Sequence, residues 1–385
     1  MITSAYIHIP FCEHICHYCD FTKFFYNEAS ATAYIRALKR EIQTKIQHKN
    51  TPIETIFIGG GTPTSLNVKQ LQNLLEIIDK TFDVANCEEY TIEANPGDFA
   101  EDKIKLLKNY GVNRVSLGVQ VFDDAMLDSL GRAHRVKDVY TTINQLKKHG
   151  FSNISIDLIY ALPNQTVNGF RQTVSEALSF DLPHYSSYSL QIEPKTIFYN
   201  RYRKGQLHRP QQEEEVEMYA ILKQMMTENG KEQYEISNFA QRGYESKHNL
   251  TYWNNEYYYG FGAGAHGYIR GTRYGNIRPL PQYIEKAMTD GNPVLTEVDI
   301  GLKERIEEQF FLGLRKRKGV HKAKFKQKFG FSHDEVYQRP IEDLMKKGWL
   351  TEDEEFLRLT DQGVLFGNDV FAQFLLDDED LKHVN

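Results

Sequence analysis

Long apolar runs are missing from this chain of 385 residues: none approaches the ~20 consecutive apolar positions that a membrane-spanning helix needs. Net positive charge is missing as well. Lys and Arg number 46 against 52 Asp and Glu, a formal charge of −6, which argues against a general nucleic-acid binder. The opening stretch, MITSAYIHIPF, lacks the basic residues that begin a secretory signal, so the expected location is the cytosol. Cysteine is scarce, with four in total. In a reducing compartment, clustered thiols point to metal or redox chemistry more than to disulfides. Three of the four, Cys12, Cys16 and Cys19, crowd into FCEHICHYCDF at residues 11–21.

What the chain does have is alternation. β-rich runs occur at 5–9, 55–59, 90–94, 114–119, 153–160 and 185–192. Longer segments with apolar residues every three or four positions separate them, such as Ile35, Leu38, Ile42 and Ile46. Repeated strand–helix alternation predicts βαβ units and a parallel sheet. Six strands are too few for a complete eight-stranded barrel and fit an open doubly wound sheet or a partial barrel.

In parallel α/β sheets, ligands sit at the carboxyl ends of the strands. At that end lie the cysteine loop, GGGTPT (59–64), Glu93, Gln120, Asp157, Gln191 and Glu193. Polar or glycine-rich positions at one end of every strand are expected to line a common site. After about residue 235 the pattern changes. Residues 244–279 are dense in Tyr, Gly and Asn without clear helical spacing, and helices return from about 291. The expected units are 1–235, a Tyr/Gly-rich connection at 236–290, and a C-terminal unit at 291–385 whose helices and hairpin resemble a winged helix. The basic stretch 313–330, with eight Lys/Arg and no acid, reads as a solvated helix face or as a docking patch for an acidic partner or anionic membrane surface.

Cys-x3-Cys-x2-Cys admits two metals. Zinc takes four ligands in a closed tetrahedron, and His8, His14 or His17 are candidates for the fourth. An iron–sulfur cubane held by three cysteines leaves one iron open, which marks a reactive site. Cys87, on another segment, reads as a small buried apolar residue.

The spacing, with aromatic Tyr18 before the last cysteine, resembles the signature of radical S-adenosylmethionine (SAM) enzymes. The resemblance implies a partial (β/α)6 barrel and a [4Fe–4S] cluster on Cys12, Cys16 and Cys19. Its open iron would bind SAM, which one electron splits into methionine and a 5′-deoxyadenosyl radical. It further implies SAM contacts from Gly60, Gly61 and Thr62 of the glycine motif, from Glu93, Gln120, Arg132 and Asp157, and from the aromatic Tyr6 and Tyr18.

YIHIPFCEHICHYCDF, IFIGGGTPTSL, IEANP, SLGVQ and DLIYALP together resemble the oxygen-independent coproporphyrinogen III oxidase family, which contains true oxidases and a heme-chaperone branch. True oxidases carry another cysteine two residues after the third; Phe21 stands there. They also carry an N-terminal extension, for which the eleven residues before Cys12 leave no room. HNLTYW (248–253) resembles the chaperone branch's motif, which implies His248 as a heme ligand with Tyr252 and Trp253 stacking on the porphyrin; His266 and His184 are competing histidines. The expected function is heme binding and transfer to an acceptor hemoprotein, with cluster and SAM governing transfer or homodimer formation. Oxidative decarboxylation of coproporphyrinogen III and a zinc-stabilised binding module are the alternatives. GAGAHG (262–267) fits a dinucleotide motif only literally, because Gly and Pro interrupt residues 268–281, where that motif needs a helix.

Overall fold

The computed structural model describes residues 2–377 and residue 381. The last stretch of the expected C-terminal unit, 378–380 and 382–385, lies outside the described residues. Nine strands form the main sheet: β1 (Ser4–Ile9), β2 (Thr55–Gly60), β3 (Glu89–Ala94), β4 (Arg114–Gln120), β5 (Asn153–Tyr160), β6 (His184–Ser189), β7 (Glu232–Glu235), β8 (Asn238–Ala240) and β9 (Tyr259–Phe261). Their order is β9-β1-β2-β3-β4-β5-β6-β8-β7. Pairing is parallel from β9 through β6, and β8 and β7 extend the sheet as an antiparallel hairpin. The six predicted strands are therefore the continuous centre of this partial barrel. β6 stops at Ser189, so Gln191 and Glu193 lie in the following loop rather than closing the strand.

The alternation along each strand explains how the sheet divides. Side chains two apart share a face. Ile7, Ile9, Ile56, Ile58, Ile92, Val115, Leu117, Ile154 and Ile156 are wholly buried in one apolar core with the surrounding helices. The alternate positions are polar or aromatic: Ser4, Tyr6 and His8; Thr55 and Phe57; Glu89, Thr91 and Glu93; Ser155 and Asp157. A parallel sheet covered on both faces normally reads as continuous apolar strands. Here the second face lines a polar interior. On that face the Glu93 carboxyl of β3 acts electrostatically on the Tyr6 hydroxyl of β1, across the intervening β2.

Helix starts follow local chemistry. Asn27 accepts the Ser30 amide ahead of the helix Glu28–Lys45, and Asn67 with Gln70 forms a capping box ahead of Val68–Thr81. The region expected to lack helical order contains a two-turn helix, Lys247–Trp253, capped by Ser246. It also contains β9, which pairs along β1 and covers that edge of the barrel. A seven-residue helix is too short for apolar periodicity to register.

The C-terminal residues enclose a second apolar core around Phe310, Tyr337, Leu357 and Phe374. Helices Leu302–Gly313, Lys322–Phe329 and Asp334–Lys346 surround a three-stranded sheet that includes the hairpin Leu350–Glu352 and Phe356–Leu359, as a winged helix would. Much of the basic stretch faces inward. Arg315 lies over the Trp253 ring at 4.5 Å, Lys316 donates to Asn254 Oδ1, and Lys328 donates to the Asn255 carbonyl at 3.2 Å. Arg317 pairs with Asp361 and Lys322 with Glu352. Five of its eight cations thus bind within the protein, and the solvated-face reading is left to Lys318, Lys324 and Lys326.

Candidate cofactor site at the carboxyl ends of the barrel strands

β1 delivers the chain into Phe11–Cys12, and the loop beyond carries Cys16 and Cys19. All three thiols are free, Cys12 buried and the other two half-buried. Two of them have a polar neighbour suited to a thiolate. Thr62 Oγ1 donates to Cys12 Sγ at 3.6 Å, and Arg132 Nη1 donates to Cys16 Sγ at 3.4 Å. Asn95 connects the two donors: its Nδ2 donates to Thr62 Oγ1 at 2.9 Å and its Oδ1 accepts from Arg132 Nη2 at 2.5 Å. Arg132 also donates to the Gly118 carbonyl. Burial works against the Arg132 charge, yet Tyr18 and Cys16 hold the guanidinium above its ordinary value.

Burial pushes the Cys12 thiol up to about 11 and raises that of Cys19. Both thiols are therefore protonated at neutral pH until a metal displaces the proton. Two of the three candidate zinc histidines are already engaged. His8 spends one ring nitrogen on Tyr6 at 2.9 Å and the other on the Thr22 carbonyl at 2.8 Å, and His17 Nδ1 bonds the Ser129 carbonyl at 2.8 Å. Among the described residues, no three His, Cys, Asp or Glu side chains are grouped as one ion would need. A cubane is wider than one ion, and three sulfurs with hydroxyl and guanidinium donors suit its anionic, thiolate-ligated charge.

The glycine motif is shaped by what it must approach. Gly60 has φ +117°, and a Cβ there would lie 2.4 Å from the His8 ring. A Cβ on Gly61 would lie 2.8 Å from the Phe11 carbonyl and 3.0 Å from Cys12 Sγ. Only glycine lets this strand end pass so close to the cysteine loop. The amides here are already committed: Gly60 N–H to Glu93 Oε2 at 2.9 Å, Gly61 N–H to the Ile9 carbonyl, and Thr62 N–H to the Phe11 carbonyl. What the turn can offer an ammonium group is therefore carbonyl oxygen.

Glu93 and Asp157 face the lumen at this end. Burial, reinforced by Asp157, pushes the Glu93 carboxyl up to about 7. Burial also raises Asp157, opposed by hydrogen bonds from Ser186 and from Ser116 at 3.1 Å. Thr91 Oγ1, on the same face as Glu93, is buried without a partner. Two carboxyls with raised proton affinity and an orphaned hydroxyl suit a cationic polar ligand. Gln120 ends β4 at a bulge with φ +71°, an unusual conformation for a side-chain-bearing residue at a site edge. Tyr18 is half-buried and packs on Phe198, ring centres 6.4 Å apart, and Tyr6 stacks on Phe57 at 6.1 Å. Sequence reasoning misses Asn95, Ser116 and Ser186. Only Asn95 has a signal in the sequence, since it follows Glu93 by two positions in IEANP.

The residues implied for heme lie elsewhere. His248 bonds Thr55 Oγ1 through Nδ1 and Tyr252 Oη through Nε2, each at 2.8 Å, and stacks on Phe57 at 5.2 Å. Thr55 opens β2, so the helix Lys247–Trp253 plugs the amino end of the barrel, opposite the cysteines. Burial lowers the His248 imidazole to about 3. Trp253 lies beneath Arg315, with its indole N–H buried and unpartnered. Of the competing histidines, His184 is buried between Ser155 and Tyr234, at 2.7 and 2.9 Å, whereas His266 is exposed.

The radical SAM superfamily model matches residues 6–177, and the HemN C-terminal domain model matches 300–366. Heme chaperone HemW of Bacillus subtilis (strain 168) is 50% identical over 374 residues, spanning 97% of this chain and 99% of that protein. Heme chaperone HemW of Escherichia coli (strain K12) is 30% identical over 379 residues, spanning 97% and 98%. The solved structure of coproporphyrinogen III oxidase (HemN) from Escherichia coli, a radical SAM enzyme, matches with a TM-score of 0.84 at 22% identity, covering 97% of this chain and 90% of that one. That likeness concerns the fold. Identity at the level of the Bacillus subtilis relative, along almost the whole of both chains, means that the protein belongs to the HemW family within the radical SAM superfamily.

Proposed function

We propose that this protein is a heme chaperone, binding heme and passing it to an acceptor hemoprotein. The observation that carries the reading is 50% identity, over nearly the full length of both proteins, to a heme chaperone. Phe21 supports it: an exposed phenyl ring stands where an oxidase would carry its additional cysteine. The polar lumen is the seat for SAM, and Cys12, Cys16 and Cys19 hold a [4Fe–4S] cluster at its mouth. When bound, that pair supplies one-electron chemistry. The protein's own part is to hold the thiolates with Thr62 and Arg132, to present Glu93, Asp157, Gln120 and the glycine-motif carbonyls to SAM, and to shield the site with Tyr6 and Tyr18.

His248 is the heme ligand in this reading, with Tyr252 and Trp253 against the porphyrin. Both His248 ring nitrogens are engaged in the plugged conformation, so ligation requires the short helix to release. Homodimer formation and SAM-dependent control of transfer belong to the same proposal. Anaerobic titration of the reconstituted protein with heme tests it: a shifted Soret band, and transfer of heme to an apo-hemoprotein, are expected. Conversion of coproporphyrinogen III to protoporphyrinogen IX with SAM and reductant would overturn it in favour of an oxidase.

A further inference from the structure

The two hydrogen bonds that reach cysteine sulfurs share one neighbour. Asn95 is half-buried and stands just past the end of β3. Its side-chain amide has an acceptor end and a donor end, and the surroundings fix which way it points. Arg132 Nη2, which can only donate, meets Oδ1 at 2.5 Å. Thr62 Oγ1 lies 2.9 Å from Nδ2, and the Asp98 carboxyl is also hydrogen-bonded by this side chain. Flipping the amide would set an N–H against the guanidinium and a carbonyl against a carboxyl.

That orientation directs the Thr62 proton. A hydroxyl carries one proton and two lone pairs. Asn95 Nδ2 donates to a lone pair, so the O–H is left to donate, and Cys12 Sγ accepts it at 3.6 Å. Thr62 is 5% exposed, so solvent offers the proton little alternative. The relay is close-packed: a Cβ on Gly118 would come within 3.1 Å of Arg132 Nη2 and 3.3 Å of Asn95 Oδ1. Arg132 has a separate anchor in the Gly118 carbonyl and its own bond to Cys16 Sγ at 3.4 Å. Bonds in a chain polarise one another, so the guanidinium at the head strengthens the last link, to Cys12.

We propose that Asn95 is a positioning residue for the cluster: it turns the Thr62 hydroxyl onto the Cys12 sulfur and so raises the cluster's reduction potential. A hydrogen bond to a ligating sulfur offsets negative charge and favours the reduced, more negative cluster. The inference rests on the proposed cluster assignment and deepens it. Redox titration of the full-length reconstituted protein, read by the electron paramagnetic resonance of the reduced cluster, tests it. Asn95→Leu removes the amide at similar size and with no change of charge. It should lower the equilibrium constant for reduction about threefold or more, about 30 mV for one electron. Thr62→Val removes the hydroxyl from an extended position, φ −145°, that valine adopts readily, and should act to a similar extent. In the Thr62→Val background, Asn95→Leu should lose at least half of its effect, because the proton it directs is gone. A merely structural Asn95 would change the melting temperature and leave the potential alone. That result, or the full Asn95→Leu shift in the Thr62→Val background, overturns the proposal and leaves the cluster assignment standing. Thr62→Val tests the same link by itself: an unchanged potential there overturns the proposal even if Asn95→Leu takes up no iron. A wild-type protein that takes up no iron–sulfur cluster overturns both.

Discussion

Glu89 Oε1 accepts the backbone N–H of His248 at 2.9 Å, tying the start of β3 to a helix 159 residues further along the chain. The same carboxylate accepts the Lys247 amide at 2.8 Å and the Ser246 hydroxyl at 3.2 Å. Three donors on one buried carboxylate make it the fastening of the barrel plug. Glu89→Ala leaves those donors without an acceptor and should destabilise the protein by about 3 kcal/mol. Denaturant unfolding measures this directly. Amide exchange at residues 247–248 should also accelerate; unchanged exchange would show that the plug is held by other contacts.

Cys12→Ser, Cys16→Ser and Cys19→Ser should each abolish the cluster absorption and bound iron after anaerobic reconstitution, because three ligands leave no redundancy. Cys87 lies apart, its thiol near the Glu54 and Glu89 carbonyls at 3.4 Å. Cys87→Ser should keep full iron content, and loss of iron there would refute the ligand assignment.

Arg132 joins Cys16, Asn95 and Gly118 through one planar fork, which a lysine ammonium cannot reproduce. Arg132→Lys should retain the fold but weaken SAM binding by about tenfold or more, the cost of about one charge-assisted hydrogen bond. Its cluster should bleach faster in air. Calorimetry with SAM and the rate of loss of cluster colour are the two readouts.

Glu93 supplies a pH dependence. Its carboxyl sits at about 7, above the ordinary 4.5, because burial and Asp157 disfavour the charge. The ionised form is the one that attracts an ammonium. SAM affinity should therefore fall as pH drops below about 7, approaching tenfold per unit, and level off above it. Glu93→Gln should bind weakly and lose this slope; a wild-type affinity flat from pH 5.5 to 8 would exclude the role.

Buried imidazoles predict acid lability. Burial lowers His8 to about 4, His134 and His248 to about 3, and His184 well below the ordinary 6.5. The unfolded chain takes up these protons near 6.5 while the native state refuses them. Their contribution is therefore fully present above that value and is lost as pH falls toward the native values. Each group can contribute a slope of up to about 1.4 kcal/mol per pH unit. Chemical denaturation between pH 7.5 and 4.5 should show a steep loss, and His248→Gln should make it shallower.

The amino-acid order by itself determined the six central strands, the helices between them and the end of the barrel where the cysteine loop lies. Those features have local causes: alternation at two residues, recurrence at three or four, caps such as Asn67, and glycines such as Gly60 where a Cβ would strike His8. The cysteine loop was legible for the same reason, since three thiols on eight residues need no tertiary contact to be recognised. The lumen's polar face was only partly legible, because Glu93 and Asp157 read as interruptions of apolar runs until the sheet curved and turned alternate positions toward one another.

Only the tertiary structure decided the fate of HNLTYW and of the basic stretch. Seven helical residues carry no readable period, and the partners of His248, at Thr55 and Glu89, are more than 150 positions away. Likewise Arg315, Lys316 and Lys328 look like a solvated face when their neighbours in sequence are considered, and become long-range contacts once Trp253, Asn254 and Asn255 are brought to them. A charge or an imidazole does not carry its burial in its own neighbourhood; that is set by which distant segment is folded against it.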